Sequence, residues 1–136
     1  MCVAALCDGK VVGFNLVTFG EVCIEKIHLR RFFRPEEAWV EQMTVRPEVH
    51  HQGVGMSLHQ VLPEVLRQRG VTRLYAGSSR SNQAAYRLAR RVGFREVADI
   101  HYVHFFGLET WHSVRVPRSG RQPSFQDVRP RLLPQP

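Results

Sequence analysis

The stretch "MTVRPEVHHQGVG", Met43–Gly55, decides how this chain is read. A strand-like run ends at Val45, a polar turn follows, and Gly53 and Gly55 stand at the mouth of a helix. The preceding "WVEQMTV", Trp39–Val45, has strand propensity. The following "GMSLHQVLPEVLRQRG" sets Leu58, Val61, Leu62, Val65 and Leu66 at helical spacing and stops at Gly70. Pro63 lies inside that helix and is expected to kink it, because it removes one backbone bond. The first amides of a helix have no partner within it, and the helix dipole adds partial positive charge there. A strand, a glycine turn and a helix therefore make an anion site, and glycine lets the backbone come close to a phosphate. The competing reading is a tight turn with no ligand. The Gly-Lys-Ser/Thr ending of a phosphate-binding loop is absent, and so is the third glycine of a dinucleotide fingerprint.

Outward from this turn, "CVAALCDGKVVGFNLVTF" predicts a hairpin, since Asp8-Gly9 tolerates the positive φ angles of a two-residue turn. Gly20–Ala38 predicts a functional loop with a helical turn. In it Arg30, Arg31 and Arg34 interleave with Phe32 and Phe33, a pattern that suits single-stranded nucleic acid or a loop anchored on the core by its phenylalanines. "VTRLYAG", Val71–Gly77, predicts a strand. "SNQAAYRLARRVGF" predicts a second helix with Ala85, Leu88 and Val92 on one face and Arg87, Arg90 and Arg91 outside. "REVADIHYVHFFGL" predicts two short strands.

The 136 residues suit one core, and 43% hydrophobic content is enough to fold it. The formal charge of +7 and the pI of about 10.2 favour an anionic partner: nucleic acid, an acidic surface or a phosphorylated cofactor. Three cysteines, Cys2, Cys7 and Cys23, show no metal spacing and fit a reduced, cytoplasmic setting. No signal peptide or membrane span is expected. His50 and His51 are adjacent and diverge, and His101 and His104 fall on opposite strand faces, so no metal site is expected. From Arg115 onward the composition shifts to five of the eight prolines without a period. The expected division is a domain over 1–115 and a disordered, basic, proline-rich tail over 116–136.

Two blocks resemble the GNAT family of acetyl-CoA-dependent N-acetyltransferases. That family's cofactor motif, Arg/Gln-x-x-Gly-x-Gly/Ala after a strand ending in Val-x-Pro, is matched by Val45, Pro47, Gly53 and Gly55, with His50 at its first position. Its second block, N-x-x-A-x-x-L-Y-x-K-x-G-F, is matched by Asn82, Ala85, Leu88, Arg91, Gly93 and Phe94 of "NQAAYRLARRVGF". The resemblance runs roughly from Val3 to Leu108. It implies an α/β fold with a mixed, mostly antiparallel sheet flanked by helices. The family's usual first strand and two helices, which help bind the acceptor, have no counterpart before the hairpin, so Cys2–Cys7 is expected to form an open edge.

The resemblance also implies the site. Acetyl-CoA is the implied co-substrate and a small amine or protein amine the implied acceptor. Met43, Thr44 and Val45 would pair with pantetheine through their amides, and one amide could polarise the thioester carbonyl. His50, His51, Gln52, Gly53, Val54, Gly55, Met56 and Ser57 would form the pyrophosphate turn, and Asn82 would touch pantetheine besides capping its helix. Glu41 is the implied general base. Its alternation with Trp39, Met43 and Val45 puts it on an apolar face, where partial burial would raise its basicity; a bulge turning it to solvent is the alternative. The family's tyrosine near the cofactor sulfur is Ala89 here, and Tyr86, one turn earlier, is the candidate acid in its place. The loop Glu25–Trp39 would border the acceptor. Two readings from other classes remain beside the enzyme: a non-catalytic CoA-binding module, and a basic nucleic-acid-binding protein, for which no motif is present. A homodimer through the open edge stays compatible with the sequence.

Overall fold

The computed structural model of the chain describes residues 1–115, with side chains as far as Thr110; the tail expected over 116–136 lies outside the described residues. Strands β1 (Cys2–Cys7) and β2 (Lys10–Thr18) form the expected hairpin. Asp8 and Gly9 both take positive φ, 48° and 74°, as a two-residue turn with right-handed twist requires. The region Gly20–Ala38 differs from its expectation. It contains a short ribbon, β3 (Glu21–Ile24) and β4 (Leu29–Phe32), closed by a single 3-10 turn over Glu25–Ile27. The helical turn is there; the loop is not. Val22 and Leu29 are buried, as is Phe33 just after the ribbon, which is what turns an apparently polar stretch into structure.

Strand β5 (Glu37–Val45) is the centre of the main sheet. With β6 (Arg73–Ala76) it completes the order β1-β2-β5-β6, antiparallel except for the β5–β6 pair. Helix α1 (Val54–Arg67) packs on one face of that sheet. Leu58, Leu62 and Leu66, one turn apart, are buried there, and Leu62 and Leu66 meet Val17, Ala38, Val40 and Val71. Each such leucine contributes about 1.5–3 kcal/mol of burial. Val61, expected on the apolar stripe, is half exposed. The helix runs through Pro63, which stands on its exposed side. Helix α2 (Gln83–Arg91) starts at Asn82, whose side chain accepts from the Ala85 amide at 3.1 Å. Ala85 and Leu88 are partly buried, and the arginines face out as expected.

The last elements are β7 (Ala98–Phe105) and β8 (Leu108–Arg115), a hairpin that stands apart from the main sheet. One long strand replaces the two short ones expected before Leu108. The turn is Phe106-Gly107, with φ of 47° and 79°; a left-handed phenylalanine gives no turn signal in sequence. Asn15 is fully buried beneath α1, and neither polar atom of its side chain has a partner among the described residues.

Candidate active site

The site follows from what happens to β5 halfway along. β6 pairs with it only from Glu37 to Val40. From Gln42 to Val45 the strand is laddered by β2 alone, which leaves one row of backbone donors and acceptors open. The change coincides with a bulge: Val17 pairs with Val40 and Leu16 with Gln42, so Glu41 has no partner. The extra residue reverses the alternation. Val40 faces the core under α1, and so do Met43 and Val45 beyond the bulge, whose side chains lie within 3.8 Å of where a Cβ on Gly55 would stand.

Glu41 is therefore not on the apolar face. It is exposed, and its carboxylate accepts from the Thr18 hydroxyl at 3.4 Å. The burial expected from simple alternation is corrected; the bulge alternative is what the strand adopts. No contact among the described residues joins Glu41 to Tyr86. Tyr86 is partly buried on α2, with the Arg90 guanidinium 5.9 Å from its ring centre.

The turn after β5 is built from its own residues. Pro47 opens a 3-10 turn over Pro47–Val49. His50 then donates from Nε2 to the Val45 carbonyl at 2.9 Å, fastening the turn back onto the strand end. Gln52 reaches the Glu48 carbonyl at 3.2 Å. His51 is exposed with a left-handed backbone, φ 63°. Gly53 sits at the head of α1 with φ 86°, and no side chain caps the helix, so its leading amides stay open to an anion. Gly55 faces α2: a Cβ there would stand 3.4 Å from Leu88, within ordinary van der Waals contact. Met43, Val45, Gly55 and Leu88 thus converge, with His50 behind them and Val54, Met56 and Ser57 beginning the helix.

The family model for the GNAT acetyltransferases matches residues 1–94. The chain belongs to that family. By that membership it is an acyltransferase in class. No curated protein matches significantly. Among solved structures, an aminoglycoside N-acetyltransferase AAC(6')-Iy in complex with CoA is 16% identical with a TM-score of 0.60, over 76% of this chain and 74% of that one. A ribosomal-protein-alanine N-acetyltransferase from Brucella melitensis biovar Abortus 2308 is 18% identical with a TM-score of 0.56, over 76% and 70%. A transcriptional regulator from Bacillus halodurans C-125 is 20% identical with a TM-score of 0.58, over 76% and 65%. At these identities the GNAT domain shares their fold. No helix among the described residues is long and apolar enough to cross a membrane.

One feature near the site had no signal in the sequence. Glu37, 1% exposed, accepts from Arg73 at 3.2 Å and from the Arg34 amide at 3.1 Å, bracing β5 against β6. Burial, first, holds the Arg31 guanidinium below its usual pKa. Phe33 anchors the ribbon by packing on Trp39 and Tyr75, with ring centres 5.9 and 5.6 Å away, whereas Phe32 is two-thirds exposed.

Proposed function

We propose that the chain transfers an acetyl group from acetyl-CoA to an amine by direct attack of the amine on the thioester carbonyl. The observation that carries this is the open edge of β5 at Gln42–Val45, lying next to the uncapped start of α1. A strand edge suits the two amides of pantetheine, and helix amides suit a pyrophosphate. Met43, Thr44 and Val45 are the pantetheine-pairing residues in this reading, and Gln52, Gly53, Val54, Gly55, Met56 and Ser57 hold the pyrophosphate. His50 and His51 shape the approach, His50 through its bond to Val45. Asn82 caps α2 and touches pantetheine.

The amine arrives as an ammonium and must lose a proton before it attacks. Glu41 is the base, directly or through water. Its support is the bulge rather than burial: the bulge removes Glu41 from the ladder, one residue before the open segment of β5, and leaves its carboxylate exposed beside the Thr18 hydroxyl. Tyr86 is the candidate donor to the departing thiolate. The acceptors named for the structural neighbours, aminoglycosides and a ribosomal-protein alanine, define the amine classes to try first.

A panel of such amines with acetyl-CoA, read by release of free thiol, tests the proposal; turnover of none of them with CoA still bound would leave a CoA-binding module. That second reading draws on Ala89, partly buried where the family's tyrosine would stand.

A further inference from the structure

The last rung of the β5–β6 ladder is Val40 with Ala76, so the gap between the two strands begins at Gly77. Trp39 stands one residue before that rung. Its register partners, Thr18 on β2 and Tyr75 on β6, share its face of the sheet. That face is turned away from α1, because the neighbouring Val17 and Val40 meet Leu62 and Leu66 of the helix. The indole does not stay over its own rung. It reaches diagonally across the end of the ladder to Gly77, where a Cβ would stand 2.7 Å from Cη2 and 3.2 Å from Cζ2. The shorter distance is closer than packed carbons come, so only a glycine leaves the ring its place. Gly77 takes no positive φ, so space rather than backbone freedom is what it supplies.

The ring is also backed. Phe33, 4% exposed, stacks on it at 26° with centres 5.9 Å apart. Phe33 is in turn held by Tyr75 at 5.6 Å, by the Arg31 guanidinium 5.6 Å from its ring centre, and by the bond from its amide to the Gly20 carbonyl at 2.8 Å. The far edge of Trp39 is thus an apolar wall at the closed end of the gap that opens along Gln42–Val45.

We propose that Trp39 is a specificity-determining residue: its ring ends the slot that takes the acyl group of the donor, and restricts that group to a short chain. The inference rests on the acetyltransferase reading, which sets the direction of the donor. With the pyrophosphate at the head of α1 and pantetheine along Val45 to Met43, the thioester end lies toward Gln42, where the open edge meets the last rung. An acyl chain prolonged along that line runs into the indole over Gly77. An acetyl methyl loses water against the ring. A chain two carbons longer has to displace the ring, and Phe33 stands behind it.

The test needs no acceptor. Calorimetry on the full chain compares free CoA, acetyl-CoA and butyryl-CoA. The parent should bind butyryl-CoA at least about tenfold more weakly than acetyl-CoA, the lower end of what a misfit methylene costs in a tight pocket. Trp39→Phe keeps an aromatic ring on Phe33 and removes the carbons that lie over Gly77. It should bring the two donors within about twofold of each other, with free CoA bound as in the parent. Trp39→Leu should admit butyryl-CoA as well. Adding Gly77→Ala to Trp39→Phe returns a methyl to the vacated space and should restore part of the preference for acetyl. A purely structural role for the ring would move the melting temperature of these variants and leave the ratio of donor affinities alone. A parent that binds both acyl donors equally, or a preference that neither Trp39 variant changes, overturns the stop and keeps the CoA site. A parent that binds none of the three overturns the acetyltransferase reading and the stop with it.

Discussion

The two halves of β5 have opposite designs. From Glu37 to Val40 the strand pairs with β6, at Trp39 and Val40 with β2 as well, and it is mostly buried, down to a carboxylate that is 1% exposed. From Glu41 to Val45 it has one neighbour and three exposed side chains. A strand closed on both sides has no backbone group left for a ligand, and an open strand gives up ladder bonds to keep them. The comparison predicts that changes in the first half act on stability and changes at and beyond the bulge act on the reaction.

The largest effect should come from the closed half. Glu37→Ala strands Arg73, only 18% exposed, without its partner and removes the acceptor for the Arg34 amide. Losing one member of a buried pair costs about 3–5 kcal/mol. Chemical denaturation should read that loss while CoA affinity of the folded fraction stays put; a change under about 1 kcal/mol would break the comparison on its stable side. Glu41→Gln should do the reverse. A positioned base typically contributes about a hundredfold to ten-thousandfold, so turnover near neutral pH should fall at least about tenfold. Stability should move by less than about 0.5 kcal/mol, as for other exposed positions. The deficit should shrink at high pH, where the amine is already neutral. A pH–rate profile that overlays the parent's would remove Glu41 as the base.

Gly53→Val comes next. A branched side chain resists φ of 86° and stands over the amides that would meet the pyrophosphate. CoA affinity should weaken about tenfold, or about 1.4 kcal/mol, by calorimetry; unchanged affinity would move the site elsewhere. The smallest effect belongs to His59, buried on α1 with Nδ1 unpartnered among the described residues and its ring against Phe94 at 5.8 Å. Burial lowers its pKa. Below the ordinary histidine value of about 6.5, the unfolded chain takes up a proton that the folded chain resists, so stability is full above that pH and declines as pH falls through it. His59→Leu should flatten the melting temperature between about pH 7 and 5. A slope as steep as the parent's would assign the dependence to another group.

Elements governed by local rules were legible in the sequence. Asp8-Gly9, the leucines of α1 and the cap at Asn82 each carry their instruction within a few residues, and the structure follows them. What needs a distant partner was not. In "WVEQMTV" the polar pair Glu41-Gln42 breaks the alternation, but the bulge that explains the break exists only relative to β2. The ribbon hid behind its arginines because each strand is four residues long, too short for a period to show. Glu37 and Arg73 are 36 residues apart, and His28 and Glu109 are 81 apart, so no spacing could pair them. Gly55 was legible as a glycine of the turn, but its place against Leu88 on another helix was not.

The bulge at Glu41 also sets which length changes this strand can survive. It works as a phase shift: iron it out with Glu41 kept in the ladder, and everything from Gln42 to Val45 turns over, carrying Met43 and Val45 away from Gly55 while Gln42 and Thr44 are driven inward. Deleting Glu41 itself would leave a regular strand in the same register with β2, with Met43 and Val45 still facing inward. One residue inserted beyond the bulge would reverse those faces, so the second half of β5 tolerates substitution, and even loss of the odd residue, more readily than an added one.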